Sequence, residues 1–560
     1  MNVAQAISKA LRLEGVRLAA GITGQSIGHV ADAFAEEDGA SVFYVRQERA
    51  AFDICDGFAR TSGQPGVVFT DAGPAAANAM GGLVNSMGDS IPVLFFAGHN
   101  DRFEVPSGQT KELPFIEMFK PLSKWVAVIN DPSQVSEILR RAFMHLRTGR
   151  GGPVVIGMPY DVSSMDVGDF KYVPISSKPR VRAGGDPEQI RAAIEAIAAA
   201  ERPYVYVGAG ILASEASTEL IELAELLTLP VATTLNGKSA FPEDHPLALG
   251  IGGFARAAYG SLPATVLADS ADVIVTIGCG FKRHATRKAP PKNAMHIQID
   301  VDAAEINRTH VADLVIQGDA KVVIGQLLRS ARTRVGMGRL APVASRLAEV
   351  RKLKEQWNEI SKPLLESDEA PLNPFRVTGE LNRRTDPKHT IVLHDAGSVR
   401  GSTSQHYIAT QPHGFIGFGV QSAMGWSIGA AMGAKCAEPN KLVIAVIGEE
   451  AFGETALEIE TSVRCKAPVL IIVKNNRAYA DRDGGVSPKL ASVRFGTGVN
   501  ICALAKALGA NAHHVSKPDE LGPALEAAKA SVEGGTTAVV EILTKRVKAG
   551  LFDLWEKPKG

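Results

Sequence analysis

Short apolar runs, bounded by glycine, proline and small polar residues, alternate along the chain with stretches whose apolar residues recur at helical spacing. In the first third, runs at 19–22, 42–45, 67–70, 93–97 and 154–158 predict strands, with helical patterns at 50–61 and 74–88 between them. A Pro/Ser/Gly-rich stretch over 163–187 reads as a linker. The rhythm resumes with strands at 204–208, 231–234, 273–277 and 296–299 and fades near Arg332, before a charged helical segment and a Pro-rich turn over 367–374. It returns at 390–393, 442–447, 469–473 and 538–542. Strand–helix alternation at this spacing predicts parallel sheets covered on both faces, so the expected fold is α/β with three doubly wound parallel-sheet domains. The domain bounds are 1–170, 186–340 and 370–550, with no repeat visible in the sequence itself.

Composition narrows the partners. A chain of 560 residues is too long for one core. Lys+Arg and Asp+Glu both number 60, a balance that argues against nucleic-acid or membrane-surface binding. Five scattered cysteines without a CxxC pair form neither a disulfide framework nor a zinc motif. The N-terminal stretch is amphipathic, without the apolar core of a signal peptide, and no run is long enough to span a bilayer. A cytoplasmic globular protein is expected.

The most informative segment is LVIAVIGEEAFGETALEIETSVRCKAPVLIIVKNN, read as strand, tight turn, helix, strand, Asn475-Asn476. A right-handed crossover places Glu449 and Asn476 together at strand carboxyl ends, the ligand edge of a doubly wound sheet. A carboxylate and an amide oxygen there suit a hard cation such as Mg²⁺. The segment resembles the thiamine-diphosphate motif, which opens Gly-Asp-Gly and closes Asn-Asn. Here it opens Gly448-Glu449-Glu450. The resemblance implies that Glu449, the Asn476 side chain and the Ala478 carbonyl bind the metal, with Gly448, Glu450 and Ala451 at the diphosphate. Glu449 keeps the charge of the usual Asp on a longer arm, and Glu450 adds a second carboxylate where a small residue is usual.

Further matches to thiamine-diphosphate-dependent enzymes lie in order along the chain. In YVRQERAAFDICDGFAR, Glu48 matches the glutamate that faces the aminopyrimidine ring and governs its proton transfers. By itself, a carboxylate in a first helical turn is also what the helix dipole favours. Downstream, FTDAGPAAANAMGG supplies Gly73 and Asn78 in matching places. Asp395-Ala396-Gly397 resembles another cofactor-contacting turn, and Met424 in GFGVQSAMGWSIG stands where a large apolar side chain holds the cofactor bent. The resemblance implies pyrimidine-binding, central and diphosphate-binding domains in that order. It also implies a homodimer or homotetramer with sites at the subunit interface.

At the substrate end the residues leave alternatives open. Lys111, counted back from Lys120-Pro121, stands where acetolactate synthases carry Gln and suits a substrate carboxylate. Tyr479, Asp481 and Arg482 lie just past the Asn pair, and His99 ends a strand as a candidate proton donor. AFGETALEIET resembles oxalyl-CoA decarboxylases and 2-hydroxyacyl-CoA lyases. FKRHATRKAPPKN, with Lys282, Arg283, Arg287, Lys288 and Lys292, suits CoA phosphates or is a solvated loop. Gly208-Ala209-Gly210 is a weak dinucleotide signal, and relatives hold FAD, the ADP part of CoA, or nothing in the central domain. The expected activity is C–C bond cleavage or formation beside a carbonyl: decarboxylation and carboligation of a 2-oxo acid, or lyase-type cleavage of a 2-hydroxyacyl-CoA. The rival is a cofactor-free relative acting as a binding or regulatory subunit, because the Gly-Asp-Gly turn is altered.

Overall fold

The N-terminal sheet is built from β1 (Leu18–Ile22), β2 (Ser41–Tyr44), β3 (Gly66–Thr70), β4 (Val93–His99), β5 (Trp125–Val128) and β6 (Val154–Pro159), in spatial order 2-1-3-4-6-5. The computed structural model describes residues 1–36, 39–254, 259–282, 289–336, 343–478 and 498–547. The central sheet holds β7 (Pro203–Val207), β8 (Val231–Thr233), β9 (Ala248–Ile251), β10 (Val273–Ile277), β11 (Met295–Asp300) and β12 (Leu314–Gln317), in order 12-11-10-7-8-9. The C-terminal sheet holds β13 (Thr390–His394), β14 (Phe415–Ile416), β15 (Leu442–Gly448), β16 (Leu470–Asn475), β17 (Asn511–Val515) and β18 (Ala538–Leu543), in order 14-13-15-16-18-17. Every ladder within the three sheets is parallel. The first and third sheets share one strand order, a repeat of architecture that the sequence does not display. The central sheet has the other doubly wound order, with its switch point between β7 and β10.

The interior strands coincide with the apolar runs because both their faces are buried. Two expectations shift. The helical pattern over 74–88 is two helices, Pro74–Asn78 and Met80–Asp89. The linker docks on the N-terminal domain, where buried Glu14 accepts hydrogen bonds from the Tyr172 hydroxyl (2.6 Å) and from the Ile175 (2.8 Å) and Ser176 (2.9 Å) amides.

The three domains do not pack as separate beads. Helix Glu48–Ser62 is buried through most of its length, between its own sheet and helix Trp426–Ala437 of the C-terminal domain. The core under one face of the first sheet, with Leu18, Ala20, Phe43, Phe52, Val68 and Phe95, takes in Met432 and Ala467 from the C-terminal domain. Gly57, Gly429 and Gly433 permit this approach: a Cβ on Gly57 would stand 2.5 Å from the Ala430 Cα, and one on Gly433 would stand 2.7 Å from the Phe58 amide nitrogen. Among the described residues, no helix is long and apolar enough to cross a membrane.

Candidate active site

β13 and β15 lie side by side with their crossovers leaving in opposite directions, and the crevice beyond their carboxyl ends is where a doubly wound sheet binds ligands. Glu449 opens the helix Glu449–Thr455 directly after β15. Its Oε1 and the Asn476 Oδ1 both accept from the Ala478 amide, at 2.8 and 2.9 Å. Two side-chain oxygens from two adjacent strands thus converge on one short stretch of backbone. Burial pushes the Glu449 carboxyl up against the pull of these amides, and Glu450 adds to the rise. Such a half-desolvated carboxylate beside an amide oxygen is a donor set for a hard cation, whose charge would offset the burial. Above the neighbouring turns there is room: a Cβ on Gly397 (φ 74°) would meet nothing within 4 Å, and one on Gly448 only Val399 at 4.0 Å. The residues present therefore fit a metal-bound diphosphate, apart from Glu450, whose charge opposes an anion and is also felt by Glu454.

Asp395 is placed at this crevice, but its carboxylate faces inward. It is fully buried and accepts from the Ala396 (2.8 Å), Gly425 (2.9 Å) and Ser427 (2.9 Å) amides. Burial pushes its carboxyl up, and these amides oppose the rise. Asp395 thus acts as a strut that fixes the turn after Met424, with Gly425 at φ 81°. Met424 is half-buried against the C-terminal core, and Ala451 is buried in it. Lys474, which the sequence reading passed over, precedes the Asn pair on β16. Its Nζ is buried and donates to the Ser402 (2.9 Å) and Thr403 (3.2 Å) hydroxyls, and burial pulls its pKa down to about 7. A lysine closing the apolar run LIIVK was the signal available.

In the N-terminal domain, Glu48 begins its helix behind the Gln47 cap and accepts from the Asn78 amide at 3.2 Å, so two of the expected residues meet. Gly73 (φ 65°) and Lys111 (φ 67°) also meet, since a Cβ on the glycine would lie 2.8 Å from that of the lysine. Lys111 Nζ pairs with Asp71 Oδ2 at 2.6 Å. Asp71 also accepts from the Ser26 amide at 3.1 Å and from its hydroxyl. Burial would raise the Asp71 carboxyl, but Lys111 and Ser26 outweigh it and hold it below the ordinary value. Asp71 was not foreseen, as one aspartate in FTDAG carries no motif. His99 packs edge-on against Phe115 with Nδ1 3.1 Å from the Asn100 carbonyl oxygen, which suits a core contact. Tyr479, Asp481 and Arg482 lie outside the described residues.

The two halves adjoin at the start of helix Glu48–Ser62. Arg49 donates to the Met424 carbonyl and pairs with Glu454 at 3.4 Å, while the Arg46 amide reaches Glu458 at 2.9 Å. Asp53, one turn on, is buried 3.6 Å from Arg49, and burial lifts its pKa to about 8.

A cavity of about 720 Å³ opens where all three domains meet. Its walls include Gly208, Gly210, Gly280, Lys282, Asp300 and Asn236. The Gly208-Ala209-Gly210 turn at the central switch point is closed against Gly278, since a Cβ on Gly210 would stand 2.6 Å from the Gly278 Cα. Of the basic loop, Lys282 lines this cavity and Lys292 is described, whereas Arg283, Arg287 and Lys288 lie outside the described residues.

Comparison with known proteins finds the same three-domain organisation. Profiles for the thiamine pyrophosphate enzyme N-terminal TPP binding domain, central domain and C-terminal TPP binding domain match residues 1–118, 190–327 and 395–542. The chain is 33% identical over 558 residues to a probable acetolactate synthase large subunit of Methanocaldococcus jannaschii, covering 95% of this chain and 90% of the relative. It is 28% identical to the acetolactate synthase isozyme 3 large subunit of Escherichia coli (strain K12), over 97% of this chain and 94% of that one. It is also 28% identical to a glyoxylate carboligase of Escherichia coli O157:H7, over 98% and 94%.

Proposed function

Given that the chain belongs to the thiamine pyrophosphate enzyme family, we propose that it joins two 2-oxo acids, or a 2-oxo acid and an aldehyde, in a Mg²⁺-assisted carboligation that begins with loss of CO₂. The observation that carries this reading is the convergence of Glu449 Oε1 and Asn476 Oδ1 at adjacent strand ends, inside a chain whose relatives are named as synthases and carboligases. When bound, thiamine diphosphate supplies a nucleophilic carbon and an electron sink for the carbanion that cleavage leaves.

The chain's own residues would do the rest. Glu449, Asn476 and the Ala478 carbonyl would hold the cation, and the open turns at Gly397 and Gly448 would admit the diphosphate. Met424, set by the Asp395 strut, would fix the cofactor's shape. Glu48, supported by Asn78, would hold the proton at the pyrimidine ring. Lys111 would face the substrate carboxylate, with Asp71 anchoring its ammonium while no substrate is bound. Membership of this family supports a homodimer or homotetramer. The central cavity suits the adenine-nucleotide part of FAD or CoA. Free cysteines throughout suit the reducing cytoplasm.

Calorimetric titration of thiamine diphosphate into metal-stripped protein, with and without Mg²⁺, tests the reading. Saturable, Mg²⁺-dependent binding that weakens at least tenfold in Glu449→Ala is expected, followed by CO₂ release from 2-oxo acids and no formyl-CoA or aldehyde from 2-hydroxyacyl-CoAs. Absence of binding at millimolar cofactor, in folded protein, would overturn it.

A further inference from the structure

On the outer part of the C-terminal sheet, β17 and β18 run in register with His514 opposite Glu541. Helix Ile501–Ala507 lies across this corner and brings Cys502 to the same point. The buried Glu541 divides its oxygens. Oε1 accepts from the Asn475 amide at 2.8 Å, while Oε2 has His514 Nδ1 at 3.0 Å and Cys502 Sγ at 3.8 Å. The three donor atoms all lie within 4.8 Å of one another. Ligands on one tetrahedral zinc ion stand roughly 3.3–3.7 Å apart, so one ion can take the place of the two shared protons with side-chain adjustments below about 1 Å. A thiolate, an imidazole and a carboxylate form a borderline-soft set that favours zinc over magnesium. It differs in kind from the all-oxygen set at Glu449 and Asn476.

We propose that Cys502 Sγ, His514 Nδ1 and Glu541 Oε2 form a three-ligand site for a zinc-class divalent ion, its fourth position open to solvent. On binding, the thiol proton leaves to solvent, the His514 Nδ1 proton passes through solvent to Nε2, and the thiolate and the freed Nδ1 lone pair take the ion. The His514 side chain is 48% exposed, which gives the ion a route in and leaves room for a water ligand. Because Oε1 stays on Asn475, the ion would also pin the carboxylate that steadies the residue beside Asn476. The site does not depend on the carboligase reading.

Full-length protein saturated with Mg²⁺ and thiamine diphosphate is titrated with Co²⁺ and followed by absorption. One equivalent should give a thiolate-to-cobalt charge-transfer band with the strong visible bands of a four-coordinate ion, all displaced by Zn²⁺. These bands should vanish in Cys502→Ser and weaken at least tenfold in apparent affinity in His514→Gln, yet persist in Cys436→Ser and Cys465→Ser. His514 is exposed, so its variant keeps the test open if Cys502→Ser fails to fold. A folded wild type without the thiolate band, or a band that survives either Cys502→Ser or His514→Gln unchanged, would overturn the site.

Discussion

Replacing Gly57 by alanine should uncouple the two halves of the candidate active site. The added Cβ would stand 2.5 Å from the Ala430 Cα, against an ordinary carbon–carbon contact of about 3.5–4.0 Å. Helices Glu48–Ser62 and Trp426–Ala437 must then part by about 1 Å, and both are held by packed cores. Overpacking costs about 1–3 kcal/mol, and a rigid backbone neighbour puts this site at the upper end. Alanine returns about 0.5–1 kcal/mol in a helix interior, so the net loss is about 2 kcal/mol. Gly325, in helix Ala320–Gly336, supplies the control: its added Cβ would find only the Arg329 guanidinium at 3.6 Å, so Gly325→Ala keeps the propensity gain without the clash. Thermal unfolding of both variants should show Gly57→Ala below the wild type and Gly325→Ala at or above it. Thiamine diphosphate affinity should fall only in the former, because the separated helices carry Arg49 and the Met424 turn. A Gly57→Ala protein that melts like Gly325→Ala would refute the close helix contact.

Asp395→Ala should cost about 2–4 kcal/mol, since it strands the buried Gly425 and Ser427 amides; a melting curve checks the loss, and cofactor titration checks the accompanying release of Met424. Asp53 has a folded pKa of about 8, above its unfolded value of 3.8, so the folded state holds the extra proton and stability falls as pH rises between those values. Asp53→Asn should flatten that decline, by an amount on the order of several kcal/mol across the window, as read from urea midpoints at pH 5 and pH 8; equal slopes in both proteins would refute it. Glu450→Gly removes a carboxylate from the diphosphate turn and should tighten cofactor binding in the same titration. Lys111→Met should raise KM for a 2-oxo acid more than it lowers kcat, while the Asp71 carboxyl rises toward or above its ordinary value.

How far the sequence reaches is clearest at its successes and omissions. Interior strands such as β15 and β16 were legible because burial on both faces requires an unbroken apolar run. Edge strands other than β2 were not: β5 is half-buried throughout, β17 carries two histidines, and β14 has two residues. The spacing from Gly448-Glu449 to Asn475-Asn476 is local to one strand–helix–strand unit, so it could be read along the chain. Glu48 with Asn78, and Gly73 with Lys111, also lie on neighbouring segments of one domain. The inward turn of Asp395, the pairing of Asp71 with Lys111, and the meeting of Cys502, His514 and Glu541 depend on side-chain direction, which spacing along the chain does not give. The Gly57–Ala430 approach and the three-domain cavity depend on how domains pack. Hydrophobic periodicity fixes which face of an element is buried, but not which element covers it, and that second choice belongs to the tertiary structure alone.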